Sequence, residues 1–255
     1  MNIAVCVKIV PESESLVFDQ EAGVVRRSAA SSCVSPADLV AIEAALRLKK
    51  EYGGSVHGIS MGPESALGVL RTAYYLGLDH IALLCSRAFA GADVAATAYT
   101  LSGYFAANPA FDLILCGKHS SDGGTGQLGA FLAERLNLPH LGSVCRIEGI
   151  RGGTLTAEQR MDGKILYSEL TLPGLLVVET DLAHPHTPTL SDTLKARNKA
   201  IEVLQEGDIP GLDVSRCGSA GSFTKLIRVF VPQKEREVEL FSGNELDRLV
   251  GAIVE

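Results

Sequence analysis

None of the six cysteines belongs to a C-x-x-C pair; they stand at 6, 33, 85, 116, 145 and 217, and the closest two, 6 and 33, are 27 residues apart. That spacing disfavours zinc and iron–sulfur frameworks. Cys6, Cys85 and Cys116 lie within or at the end of apolar runs, the setting of reduced, buried thiols in a cytoplasmic protein. An excess of positive charge is also missing. Lys and Arg total 23 against 30 Asp and Glu, a net charge of −7, opposite in sign to the footprint of a general nucleic-acid binder. No apolar run reaches the roughly 18 residues of a membrane span, and the opening "MNIAVCVKIVPESES" reads as a strand rather than a leader. No G-K-[ST] closes a glycine loop, no G-x-S-x-G marks a nucleophile, and no internal repeat is seen. Sequence reasoning therefore names neither a catalytic residue nor a metal ligand.

What remains is a chain of 255 residues, 46% hydrophobic, enough for one large α/β domain or a domain plus an arm. Short apolar runs recur at 3–10, 55–62, 80–86, 112–117 and 175–180. Runs that are apolar on every side suit strands covered on both faces. Helical patterns lie between them. The first starts with Ser35 as candidate N-cap and Pro36 at the first helical position, and it closes on Gly53-Gly54. "GPESALGVLRTAYYLG", "GADVAATAYTLSGYFAAN" and "TGQLGAFLAERLN" supply the next three, the last beginning near Thr125. This alternation predicts a doubly wound, mainly parallel sheet. Two inserted hairpins interrupt it: one at 15–29 around Ala22-Gly23, and one at 146–173 turning at Gly152-Gly153 and Asp162-Gly163. After residue 183 the chain becomes polar and proline-bearing, then ends in a short strand and a helix. The expected division is an α/β domain over 1–183 and an extended, partner-gripping arm over 184–255.

In such a sheet ligands bind beyond the carboxyl ends of the strands. "DLILCGKHSSDGGTGQLGAFLAERL" (112–136) places a glycine-studded loop there, feeding a helix. Gly123, Gly124 and Gly126 let backbone amides approach an anion, the helix dipole adds positive charge, and Lys118 and Thr125 offer a cation and a hydroxyl. Alternatively, the loop is a plain β–α turn with Asp122 as the helix cap. "GTGQLG" is literally G-x-G-x-x-G, with Glu148 at a suitable distance for a ribose, so an NAD(P)-linked dehydrogenase stays open. A Rossmann fingerprint, however, belongs in the first β–α turn, and this one follows the fourth strand. His184 and His186, flanked by Pro185 and Pro188, read as an exposed loop more than a metal pair. His119, Ser120 and Ser121 are too close in sequence for a triad.

Taken together these pieces resemble the β subunit of electron transfer flavoproteins, the FixA-like family. The opening "IAVCVKIVP" looks like the family's first strand. "SPADLVAIEAALRLK" followed by the G-P turn is similar to its N-P-x-x-x-x-A-(I/L)-E-x-A-(L/V)-R-L-K pattern. "DLILCGKHSSDGGTGQLG" resembles D-L-(I/V)-L-x-G-(K/R)-Q-A-x-D-x-D-x-x-Q-x-G, and "HPHTPTLSDTLKARNKAIEVL" its segment before the C-terminal arm. The resemblance covers nearly the whole chain and implies an adenine nucleotide α-hydrolase-like fold. It also implies an electron carrier subunit rather than a stand-alone enzyme. Its partners would be a flavin-bearing α subunit and an acyl-CoA-type or other flavin dehydrogenase. Carried over by position, the nucleotide would touch Cys6, Ser35, Pro36, Ala37, Asp38 and Met61. It would also touch Gly117, Lys118, Asp122, Gly123, Gly124, Thr125, Gly126 and Gln127. Leu190, with Pro188, Thr189 and Lys195, would recognise the partner. The family's β subunits carry AMP or FAD, and "DGGTGQLG" resembles the loop of the FAD-binding members more than the acidic loop of the AMP-binding ones. A stand-alone adenine-nucleotide-binding protein is the remaining alternative.

Overall fold

The computed structural model describes residues 1–12, 17–19, 24–26, 31–108, 111–225 and 250. In chain order the elements begin with β1 (Asn2–Cys6), β2 (Ile9–Pro11), β3 (Val17–Asp19), β4 (Val24–Arg26), β5 (Ser32–Val34) and α1 (Pro36–Tyr52). There follow β6 (Ser55–Met61), α2 (Leu67–Leu76), β7 (His80–Leu84), α3 (Val94–Ala107), β8 (Leu113–Gly117) and α4 (Leu128–Leu136). Then come β9 (His140–Arg151), β10 (Thr154–Met161), β11 (Lys164–Thr171), β12 (Gly174–Val178), α5 (Leu190–Ala196), β13 (Glu202–Leu204) and α6 (Gly218–Gly221).

Among the described residues nine strands form one sheet in the order β11-β10-β9-β12-β8-β1-β6-β7-β13. Every pairing from β9 through β12 to β13 is parallel, and β9-β10-β11 is antiparallel. The expected α/β sheet is thus present. Its central strands β12, β8, β1 and β7 are almost wholly buried and apolar because both faces are covered. Ile3 and Val5 enter a core packed by residues of α1 and α2, whereas Ala4 and Cys6 enter one packed by residues of α3 and α4. The 146–173 hairpins turn where expected, with positive φ at Gly152, Gly153, Asp162 and Gly163. β3 and β4 pair antiparallel. The Ala22-Gly23 turn between them lies outside the described residues, as do the C-terminal strand beyond Lys225 and all of the terminal helix except Val250.

Several boundaries differ from the expected ones. The helix α4 starts at Leu128, not Thr125, because Gly124 and Gly126 adopt φ of 61° and 64°, which a right-handed helix does not accommodate. The second helical pattern opens as a 3-10 turn over Glu64–Ala66 before α2 begins. β9 starts six residues before the expected hairpin. It runs parallel to β12 and then antiparallel to β10, with Ser143 at φ 50° inside it. Past residue 183 the chain adds an unanticipated parallel strand, β13, beside β7. Around it Tyr74 Oη donates to the Ala200 carbonyl (2.6 Å) and Lys199 Nζ to Leu78 O (3.0 Å).

The sheet order also fixes where a ligand belongs. From β1 the chain winds outward through β6 to β7, then returns to lay β8 on the other flank of β1. The winding direction reverses between β1 and β8, so the crevice at their carboxyl ends is the switch point of the fold.

Candidate functional site

Two strand ends and one helix start meet at this crevice. Pro36 opens α1, as its fixed φ favours. Ser35 holds the turn through its carbonyl, which accepts from the Asp38 amide (2.9 Å), and its side chain makes no cap bond. The Ser35 hydroxyl is fully buried without a partner of hydrogen-bonding geometry. Asp38, 8% exposed, accepts from the Lys8 amide (2.8 Å) just past β1. Burial pushes its carboxyl up to about 7, against the backbone donors of Lys8 and Gly117 and the nearby Lys8 charge. Gly117 is a glycine for steric reasons. A Cβ there would lie 2.4 Å from Asp38 Oδ1 and 2.7 Å from the Ala37 carbonyl carbon, so the first turn of α1 rests on the end of β8.

On the other face of the same strands, Cys6 and Cys116 are buried neighbours. The Cys6 thiol, with burial behind it, holds the Cys116 thiol well above its ordinary range. Met61 ends β6 half-buried against the α3/α4 side, one strand further out.

The glycine loop closes the crevice. Residues 121–127 are all exposed. Gly124 donates to the Ser120 carbonyl (2.9 Å), and Gly123 to Asp122 Oδ1 (2.7 Å). Asp122 does not cap α4, which has no side-chain cap. Its carboxylate instead accepts from Lys8 Nζ at 2.7 Å. Although burial opposes it, the Lys8 ammonium and the Ser120 hydroxyl hold this carboxyl below its ordinary range. Among the described residues no acceptor is bonded to the amides of Thr125, Gly126 or Gln127. These open donors at the head of α4 suit an anion.

Lys118 is not the free cation the sequence suggested. Its Nζ bridges both Glu179 oxygens at 2.8 Å, and Glu179, just past β12, is 6% exposed. Lys8 and Glu179 were missed by sequence reasoning. Each left a signal, a single charged residue interrupting or ending an apolar run at a strand's carboxyl end ("VCVKIV", "LLVVET"). Gly129, the third glycine of the literal G-x-G-x-x-G, serves packing, since a Cβ would meet Val177 Cγ2 at 2.2 Å on β12. Glu148 pairs with Arg146 on β9 (3.0 Å).

The structure thus brings Ser35, Pro36, Ala37, Asp38, Gly117, Lys118 and the loop through Gln127 together at the ends of β1 and β8, whereas Cys6 is buried on the opposite, α3/α4 face of β1 and Met61 lies one strand away. Pro188, Thr189, Leu190 and Lys195 lie elsewhere, on and before α5, which packs beside α2. Thr189 and Asp192 form a reciprocal capping box there, while Leu190 and Leu194 stand 75% and 55% exposed at helical spacing. His186 ties the preceding loop to α1 through Glu43 (2.6 Å).

The electron transfer flavoprotein domain model matches residues 22–209. The chain is 36% identical over 245 residues to the electron transfer flavoprotein subunit beta of Thermoanaerobacterium thermosaccharolyticum, covering 96% of this chain and 93% of the relative. It is 34% identical to protein FixA of Azorhizobium caulinodans, over 93% of this chain and 86% of the relative. To the caffeyl-CoA reductase-Etf complex subunit CarD of Acetobacterium woodii it is 32% identical, over 100% of this chain and 97% of the relative. With relatives so named along almost their whole length, and with a crevice built from the motifs that first suggested them, the chain belongs to the electron transfer flavoprotein family, among its β subunits and FixA proteins.

Proposed function

We propose that this β-type subunit binds an adenine nucleotide, FAD in preference to AMP, in the crevice between the ends of β1 and β8. In the same reading it pairs with an α-type subunit to pass electrons between a flavin dehydrogenase and an acceptor in the cytoplasm. The observation that carries the reading is the convergence at the switch point of the open amides of residues 125–127, the Lys8 ammonium and the glycine loop. Backbone amides at a helix head bind phosphate irrespective of net charge. FAD is favoured because the glycine-rich "DGGTGQLG" is similar to the loop of the FAD-binding members more than to the acidic loop of the AMP-binding ones.

When bound, FAD supplies a reversible one- or two-electron store. The chain's own residues hold the site in place: Asp38 ties the first turn of α1 to the end of β1 through the Lys8 amide, and that turn rests on Gly117 of β8. Residues 184–255 act as the partner-facing portion. Leu190 and Leu194 present an apolar contact for the dehydrogenase, flanked by Lys195.

The test is a nucleotide count on the heterodimer co-purified with its α subunit and then denatured. Two FAD per heterodimer are expected, one of them from this chain. One FAD with one AMP would replace FAD by AMP here, and one FAD with no second nucleotide would overturn the site.

A further inference from the structure

Two lysines border the crevice, and they are held differently. Lys118 bridges both oxygens of Glu179 at 2.8 Å, and that carboxylate side chain is only 7% exposed. Withdrawing the ammonium would strand a nearly buried anion, a costly event. Lys118 is therefore a fixed strut between β8 and β12.

Lys8 is held by exchangeable partners. Its Nζ donates to Asp122 Oδ1 at 2.7 Å and to Ser120 Oγ at 3.2 Å, with the ion pair's side chains 45% and 30% exposed. Both partners belong to the glycine loop. An exposed pair of this kind is worth little net free energy, so the ammonium is free to change partner. Asp122 is not orphaned by the exchange, because its carboxylate already accepts from the Gly123 amide at 2.7 Å.

We propose that Lys8 is the phosphate-reading residue of the nucleotide site, its ammonium turning from Asp122 to a phosphate oxygen as the nucleotide enters and so drawing the loop over it. The proposal rests on the nucleotide reading above. An ammonium carries three rotatable donors, so Lys8 contacts the phosphate while keeping Ser120. The same cation then fastens the loop and recognises the ligand, and it responds to the phosphate rather than to the base.

The experiment measures binding of AMP and of adenosine to the full-length chain in its complex, stripped of endogenous nucleotide, by isothermal titration at two salt concentrations. Lys8→Met is expected to weaken AMP by about tenfold, the size of one charge-assisted hydrogen bond. Adenosine binding should stay unchanged, and the salt dependence of AMP binding should shrink. Lys8→Arg should retain most AMP affinity, and Asp122→Asn should bind AMP at least as well as wild type, since the ammonium no longer leaves a carboxylate. Equal losses of AMP and adenosine in Lys8→Met and Asp122→Asn alike would reduce Lys8 to a structural latch and overturn the proposal. So would unchanged AMP affinity in Lys8→Met. A wild-type complex that binds neither AMP nor FAD removes the underlying nucleotide reading itself, an outcome distinct from either of those.

Discussion

At the scale of single residues, Asp38 carries the clearest consequence. Its carboxyl is pushed from 3.8 up to about 7 by burial, so the folded chain keeps a proton that the unfolded chain releases. Its contribution to stability is complete below pH 4 and is lost as pH rises to 7, on the order of 4 kcal/mol at most. Urea melts of wild type and Asp38→Asn at pH 5 and 8 test this. The wild type should lose stability across that interval more steeply than the variant. His57, whose pKa burial and His80 depress, acts in the opposite sense but is common to both proteins. A second prediction concerns packing. Gly117→Ala would press a methyl onto Asp38 and the Ala37 backbone, and the expected loss is about 1–3 kcal/mol by chemical denaturation. Gly124→Ala has open space, and only its left-handed backbone costs, about 1 kcal/mol. The glycine loop after β8 was legible in the sequence because glycine spacing marks a turn of the backbone. Lys8 and Glu179 were not, because an isolated charge at a strand end acquires meaning only when a distant loop or lysine reaches it.

At the scale of elements, the long buried strands and the start of α1 at Pro36 were readable, and the start of α4 was not. Five apolar runs became β1, β6, β7, β8 and β12, since burial on both faces leaves a continuous apolar signature. The start of α4 slipped by three residues because Gly124 and Gly126 adopt a left-handed backbone just before it. β13 was hidden by its length: three residues, two of them exposed, offer no periodicity. The helix α5 shows what an element can do beyond packing. Its capping box stabilises it, and Thr189→Ala should cost about 1 kcal/mol of local stability, read as faster amide exchange over 190–196. Leu190, 75% exposed, contributes little to folding. Leu190→Asp should leave the melting temperature unchanged yet slow electron transfer from the partner dehydrogenase by about tenfold or more, as loss of an apolar anchor does. An unchanged transfer rate would place the docking surface elsewhere.

At the scale of the molecule, the reversal of winding between β1 and β8 gathers residues from four distant stretches of sequence, around 6–8, 35–38, 117–127 and 179, into one crevice. Strand alternation in the sequence indicated such a sheet, but strand order cannot be read from alternation. Only the order shows that the loop after the fourth strand sits beside the first. The central claim is that an adenine nucleotide occupies this crevice with its phosphates against the loop. Hydrogen–deuterium exchange of the stripped heterodimer, with and without added FAD, tests it most directly. The expected result is slowed exchange in peptides covering 6–8, 35–38 and 117–128, with β10 and β11 unaffected. Unchanged exchange in those three segments, or protection confined to other parts of this chain, would contradict it.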